Sequence, residues 1–156
     1  MRREYFTLDV RGIDWVDEGG EPATPTVVID FEGPVDELEE RLTGFDGERL
    51  SASQTDVALR LQGDVEAPGT TGVVSVTNRT TGDFVLELNE EAEDVLRFIR
   101  AARAYGKESE SDERYRVLIR VEGEELITYE KSTFLVYDEE GNLLRQHSLI
   151  PSGVEL

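Results

Sequence analysis

The chain contains no cysteine, one histidine, one tryptophan, one methionine and only two lysines among its 156 residues. Without cysteine there is no disulfide framework, no thiolate zinc site, no cysteine-held iron–sulfur cluster and no thiol nucleophile. The lone histidine, His147, rules out H-E-x-x-H and every site that needs two imidazoles. A Ser–His–Asp arrangement has to recruit His147, yet no G-x-S-x-G turn is present and Ser148 is merely its neighbour. No G-x-G-x-x-G fingerprint occurs. Gly106–Lys107 closes a predicted helix, the wrong end for a phosphate. No apolar run approaches the ~20 residues that span a bilayer, and Met1–Val10 reads as a strand. These absences predict a soluble cytoplasmic protein with no cofactor and no metal site, and they lean against an enzyme.

What the chain has in excess is acid. Thirty-five acids against sixteen bases leave a formal charge of −19, and the acids are spread along the sequence. At low salt such a surface repels itself. In molar salt the Debye length falls to ~3 Å and the repulsion largely disappears. A dispersed acidic surface poor in lysine therefore reads as a coat suited to a salt-rich cytoplasm. Mimicry of nucleic acid needs the acids clustered, and direct binding of DNA or RNA needs a basic patch, so no nucleic-acid partner is expected. No membrane partner is expected either.

A chain of this length is read as one domain, residues 1–156, large enough to need no staple. Phe84–Leu88 alternates as a strand, and Asn89 stands where a helix N-cap belongs. Glu90, Glu91, Glu93 and Asp94 crowd the first turns, while Arg97, Arg100, Arg103 and Lys107 follow toward the other end, with Gly106 as the stop. Ala92, Val95, Leu96, Ile99 and Ala102 supply the apolar face. Tyr115–Val121 alternates again. Upstream, Tyr5–Val10 and Thr26–Phe31 read as strands, with Gly12 as a bulge, and a short helix runs between Pro34 and Gly44. Val57, Leu59 and Leu61 make a strand, with Leu50 and Ala52 as its hairpin partner. Val73–Thr77 pairs with Phe84–Leu88 around Asn78–Asp83, where Gly82 takes positive φ. Glu125–Tyr129 follows a turn, Thr133–Tyr137 suits a central strand, and Leu143–Leu149 reads as the strand returning from a turn at Asp138–Asn142. The expected fold is α+β: a mainly antiparallel sheet of about seven to nine strands with two helices on one face.

Overlaying the two strand–helix units suggests a weak repeat, roughly 5–63 and 72–149. Ile29, Phe31, Val35, Leu38 and Leu42 lie 57 residues before Leu86, Leu88, Ala92, Val95 and Ile99. Val57, Leu59 and Leu61 lie 60 before Val117, Ile119 and Val121, as Val74 and Val76 do before Phe134 and Val136. Shared binary pattern explains the match, and so does a ββαβ duplication.

Chemistry-bearing residues stand out poorly. Asp14, Asp17, Glu18 and Glu21 form an acidic loop without EF-hand spacing, and no pair among the acids is singled out for glycosidase-type work. Asn78–Arg79–Thr80 has the form of a glycosylation sequon but reads as a turn. Two stretches depart from the acidic background. One is the basic stripe Arg97, Arg100, Arg103 and Lys107. The other is Gly141–Val154, free of acid over fourteen residues and holding His147, Leu149, Ile150 and Pro151. Together they form the candidate interaction surface, although dipole complementation and packing of the tail on its own sheet account for them equally simply.

The segments MRREYFTLDV, GEPATPTVVIDFEGP, TGVVSVTNRTTGDFVLELN and LLRQHSLIPSGVEL resemble a small haloarchaeal family of unknown function, over nearly the whole chain. The resemblance implies a salt-rich cytoplasm and one domain; it carries no activity and no site residues. The function expected is a non-enzymatic protein-interaction or scaffold module with a protein partner or a second copy of itself. The alternative is a small-ligand binder or enzyme using carboxylates and arginines in a cleft. Acidic mimicry of nucleic acid comes last.

Overall fold

Period-two burial builds the strands. In Thr55–Leu61 (β3), Thr55, Val57, Leu59 and Leu61 face inward, while Asp56, Ala58 and Arg60 face out. The computed structural model describes residues 2–109 and 112–151. Its other strands are Phe6–Arg11 (β1), Thr26–Phe31 (β2), Thr71–Asn78 (β4), Phe84–Glu91 (β5), Tyr115–Val121 (β6), Glu124–Lys131 (β7) and Leu135–Tyr137 (β8). Three α-helices accompany them: Trp15–Glu18 (α1), Val35–Arg41 (α2) and Ala92–Glu108 (α3).

The strands do not make one antiparallel sheet. They divide into two four-stranded sheets, β1–β2–β6–β7 and β5–β4–β3–β8. Four of the pairings are antiparallel, but β2 lies parallel to β6 and β3 parallel to β8. The division follows from the apolar faces, since each sheet is apolar on one side and must cover it with another layer. The chain visits the first sheet with the β1–β2 hairpin, crosses through α2 to the β3–β4–β5 meander, and returns through α3 to the β6–β7 hairpin. Helix α3 lies against β3, β4 and β5, and α2 against β5. The repeat overlay meets β8 at its last step. Val74 and Val76 stand in β4, antiparallel to β3, whereas Val136 belongs to β8, which pairs with β3 and not with β6.

Helix α3 carries much of the core. Ala92, Val95, Leu96, Phe98, Ile99, Ala101 and Ala102 are all buried, a wide arc that touches more than one layer. Phe98 packs edge-on to Tyr115 at 5.5 Å between ring centroids, and Phe134 closes the cluster at 5.7 Å from Tyr115. The opposite end is filled by Tyr5, Phe6 and Phe31, with Phe6 and Phe31 4.8 Å apart. Such aromatic contacts contribute roughly 0.5–1.5 kcal/mol each beyond their buried area.

Several local expectations are corrected. Asn89 caps no helix: β5 pairs with β4 through Glu91, so the ladder holds the chain extended and α3 starts at Ala92, whose amide bonds Thr70. Gly106 does not end α3, which continues to Glu108; a Cβ there would collide with the Arg114 side chain, so the glycine admits a close neighbour. Leu50 is a buried loop residue, and Ala52–Gln54 is a 3₁₀ turn. Gly12 closes β1 at φ 74°, ahead of the short helix α1. Thr133–Tyr137 is no central strand; β8 is three residues long and ends its sheet. Leu143–Leu149 is not a strand. Ser148 Oγ accepts from the Val136 amide and donates to Leu144 O, both at 2.8 Å, so a side chain takes the place of a ladder.

Candidate interaction surface

Between α2 and β3 the chain makes a tight loop. Leu42 and Leu50 are both buried and anchor its two ends. Their backbones join through Leu50 N to Leu42 O at 2.8 Å, and Gly44 N to Glu48 O at 2.8 Å closes the tip. Asp46 Oδ1 accepts the Glu48 amide at 3.0 Å, and Gly47 takes φ 80°. These bonds fix the ends and the tip of the loop, which holds the Phe45 ring 94% exposed. Facing it is the β4–β5 turn. Asn78 Oδ1 accepts the Thr80 and Thr81 amides at 2.9 and 3.3 Å, and Gly82 turns the chain at φ 77°. Phe84 follows at the start of β5 with half its surface in water.

A groove of about 550 Å³ lies between the two loops, lined by Phe45, Phe84, Glu37, Glu40, Arg41 and Asp83 among others. Arg41 ties its sides together, donating to Phe84 O and to Glu37 Oε1, each at 3.4 Å. Among the described residues the Glu40 and Asp83 carboxylates have no partner. An isolated exposed apolar side chain is ordinary. Two phenyl rings across one groove, one on a hydrogen-bonded turn and one at the start of a strand, form a concentrated apolar feature on an acidic surface. Covering a phenyl ring is worth roughly 2–3 kcal/mol, so this surface holds unused binding energy.

The residues singled out from the sequence are placed elsewhere. Arg97 pairs with Asp17 of α1 at 3.3 Å and with Asp14, just before that helix, at 3.6 Å. Arg100 and Lys107 are exposed. Arg103 is joined to the tail, donating to Ser148 O at 2.7 Å and Gln146 O at 3.4 Å. Leu149 is 4% exposed and exchanges two backbone bonds with Phe134, at 3.0 and 2.8 Å. His147, Ile150 and Pro151 are half-buried. Thus the structure brings Arg103 and the tail together, while Arg97 is paired with acids at α1 instead.

The outer face of the first sheet carries the charges that the cleft alternative requires. Arg120 grips Asp30 with two bonds, 2.7 and 2.8 Å, and this guanidinium holds the Asp30 carboxyl below its ordinary range. Arg116 reaches Glu130 at 3.2 Å. Glu113 shares a hydrogen bond with Glu130, which raises the first carboxyl and lowers the second. Both line a cleft of about 120 Å³ with Tyr105 and Arg116. At ~30 Å³ per water, that is room for only a few solvent molecules.

A second polar site lies at the end of β7. Tyr129 and Lys131 point inward from alternate positions and clasp the segment leading to β3. Tyr129 OH donates to Leu50 O at 2.8 Å; Lys131 Nζ donates to Ala52 O at 2.6 Å and Thr55 O at 2.7 Å. Burial pushes the Tyr129 phenol up to about 12 and lowers the Lys131 amine. Phe45 and Lys131 are both missed by spacing arguments, though the alternation of Ile127, Tyr129 and Lys131 puts the lysine on the inner face. Among the described residues no group of three or more His, Asp or Glu is placed to hold a metal ion.

Fold and surface thus define an acidic two-sheet α+β protein, in which no described helix is long and apolar enough to cross a membrane. The whole chain, residues 1–156, matches one family model, and the protein belongs to that family of unknown function, DUF5793. No curated protein and no solved structure matches it.

Proposed function

We propose that the protein is a non-catalytic interaction module of a salt-rich cytoplasm, and that its groove between α2 and the β4–β5 turn receives an apolar segment of a partner protein carrying arginine or lysine. The observation that carries this reading is Phe45, held 94% exposed on a hydrogen-bonded turn across from Phe84. A guanidinium over a phenyl face gains about 0.5–1 kcal/mol at an exposed site, and Glu40 and Asp83 supply its counter-charges. At contact distance, where salt screens least, Glu40 and Asp83 in the groove oppose the acidic surface of a second copy and favour a basic segment. In molar salt the charges alone bind weakly, and the phenyl rings provide what salt does not screen.

Fluorescence polarisation tests the reading with two labelled peptides, one alternating arginine with leucine and one alternating arginine with serine, in about 2 M KCl to screen charge-only binding. The arginine–leucine peptide is expected to bind. Phe45→Ser and Phe84→Ser are each expected to weaken it by about tenfold or more, while unfolding stability falls by no more than about 0.5 kcal/mol for the exposed Phe45 and about 1–1.5 kcal/mol for the half-covered Phe84. Equal binding by wild type and both variants sinks the proposal.

A further inference from the structure

Lys131 is one of only two lysines in the chain, and it is 7% exposed. An ammonium has three donors. Two are spent on the Ala52 and Thr55 carbonyls, and among the described residues no carboxylate pairs with it. A buried cation without a counter-charge is costly, since carbonyl dipoles replace hydration only in part. Burial is accordingly the largest influence lowering this amine; the charge of Arg79 adds to it and that of Asp56 opposes it.

Beside the lysine opens a pocket of about 320 Å³, lined by Lys131, Arg79, Ser132 and Thr133 among others. The Ser132 and Thr133 hydroxyls have no hydrogen-bond partner among the described residues. Two acids also line the pocket, and both are engaged. Asp56 Oδ1 takes two bonds from Arg79, at 2.9 and 2.7 Å. Glu130 is held by Arg116 and stands on the opposite face of β7 from Lys131. What remains is one uncompensated positive charge, idle hydroxyls and a concavity at the small end of the range for ligand sites.

We propose that this pocket binds a small oxyanion, a carboxylate or phosphate group, with Lys131 as its counter-charge, Arg79 at its rim, and the Ser132 and Thr133 hydroxyls as further donors. The site is separate from the Phe45 groove, and neither proposal depends on the other. A bound oxyanion takes the third donor of the ammonium and returns the solvation that burial removed.

The scarcity of lysine makes the test direct. Lysine-selective ¹³C and ¹⁵N labelling of the full chain gives two side-chain signals, Lys131 and the exposed Lys107 as an internal control. Potassium phosphate, and in a second series potassium acetate, replaces KCl at constant ionic strength. The expected result is a saturating shift of the Lys131 signal in at least one series, with Lys107 unmoved; the series that saturates names the class of oxyanion. Arg79→Ala, whose fold is checked by an unchanged Lys107 signal and unfolding midpoint, is expected to weaken that binding about tenfold, measured from its own anion-free starting signal. A Lys131 signal unmoved in both series, parallel drift of both lysines, or an Arg79→Ala titration identical to wild type overturns the proposal.

Discussion

Replacing Tyr129 by phenylalanine removes one oxygen from the clasp and tests how the two sheets are joined. The phenol is 3% exposed and donates to Leu50 O at 2.8 Å. Its loss leaves that carbonyl short of a partner in a dry setting, at a cost of about 1.5 kcal/mol near neutral pH. For a chain of this size the midpoint of thermal unfolding should fall by roughly 3–6 °C. At alkaline pH the linkage works against the tyrosine and closes the gap. Because the folded-state pKa is raised to about 12 from 10.0, the tyrosine contributes stability that is complete below 10 and is lost as pH rises through 12. Two pKa units amount to about 2.7 kcal/mol, and about half of that is gone by pH 11. Lys131, whose folded pKa is depressed, acts the other way as pH rises toward 10.5, but it is present in both proteins and cancels in the comparison. Urea unfolding at pH 8 and pH 11 in the same salt measures the double difference. Tyr129→Phe should be the weaker protein at pH 8 and about equal to wild type at pH 11. A gap unchanged between the two pH values would falsify the account of the clasp.

Three further outcomes follow from the charge and backbone geometry. The midpoint of thermal unfolding should rise from 0.1 to about 3 M KCl as the Debye length shrinks from ~10 Å to below 3 Å, and an insensitive midpoint contradicts the salt reading of the −19 surface. Asp30→Asn should cost about 1 kcal/mol at pH 7, discounted for partial exposure of the pair. That gap should close as pH falls through the depressed pKa of Asp30, below 3.8, because the wild-type carboxylate is then protonated as well; acid titration of both proteins checks it. Gly12→Ala should cost about 2–3 kcal/mol in chemical unfolding, since φ is 74° and the new Cβ would lie 2.7 Å from Thr24 O.

Much of the local structure is legible in the residues. Thr26–Phe31 is read with its observed bounds, and the hairpin about Asn78–Asp83 has its positive-φ Gly82. Turn chemistry and period two are written in neighbouring residues, so they survive without tertiary information. Pairing is not. Alternation says that Val27 and Ile29 face inward, but not that β2 takes β6 as a parallel neighbour from far along the chain. Asn89 and Gly106 carry helix-end signals that lose to longer-range contacts, a ladder with β4 in one case and Arg114 in the other. The site was harder still. Phe45 sits in a Gly-Phe-Asp-Gly turn, where the turn is readable but the direction of the ring is not. The acid-free tail stands out by composition, yet composition does not distinguish a docking peptide from a segment whose Leu149 lies in the core.

The most direct measurement is site-specific photocrosslinking in the source cells, with a benzophenone side chain placed at position 45 and, as control, at the exposed turn residue Glu122. Position 45 is expected to give a discrete protein adduct absent from position 122, mapping to a partner segment in which arginine or lysine adjoins apolar residues. Identical adducts at both positions, or none at position 45, would contradict the proposal that the aromatic groove is where this protein meets its partner.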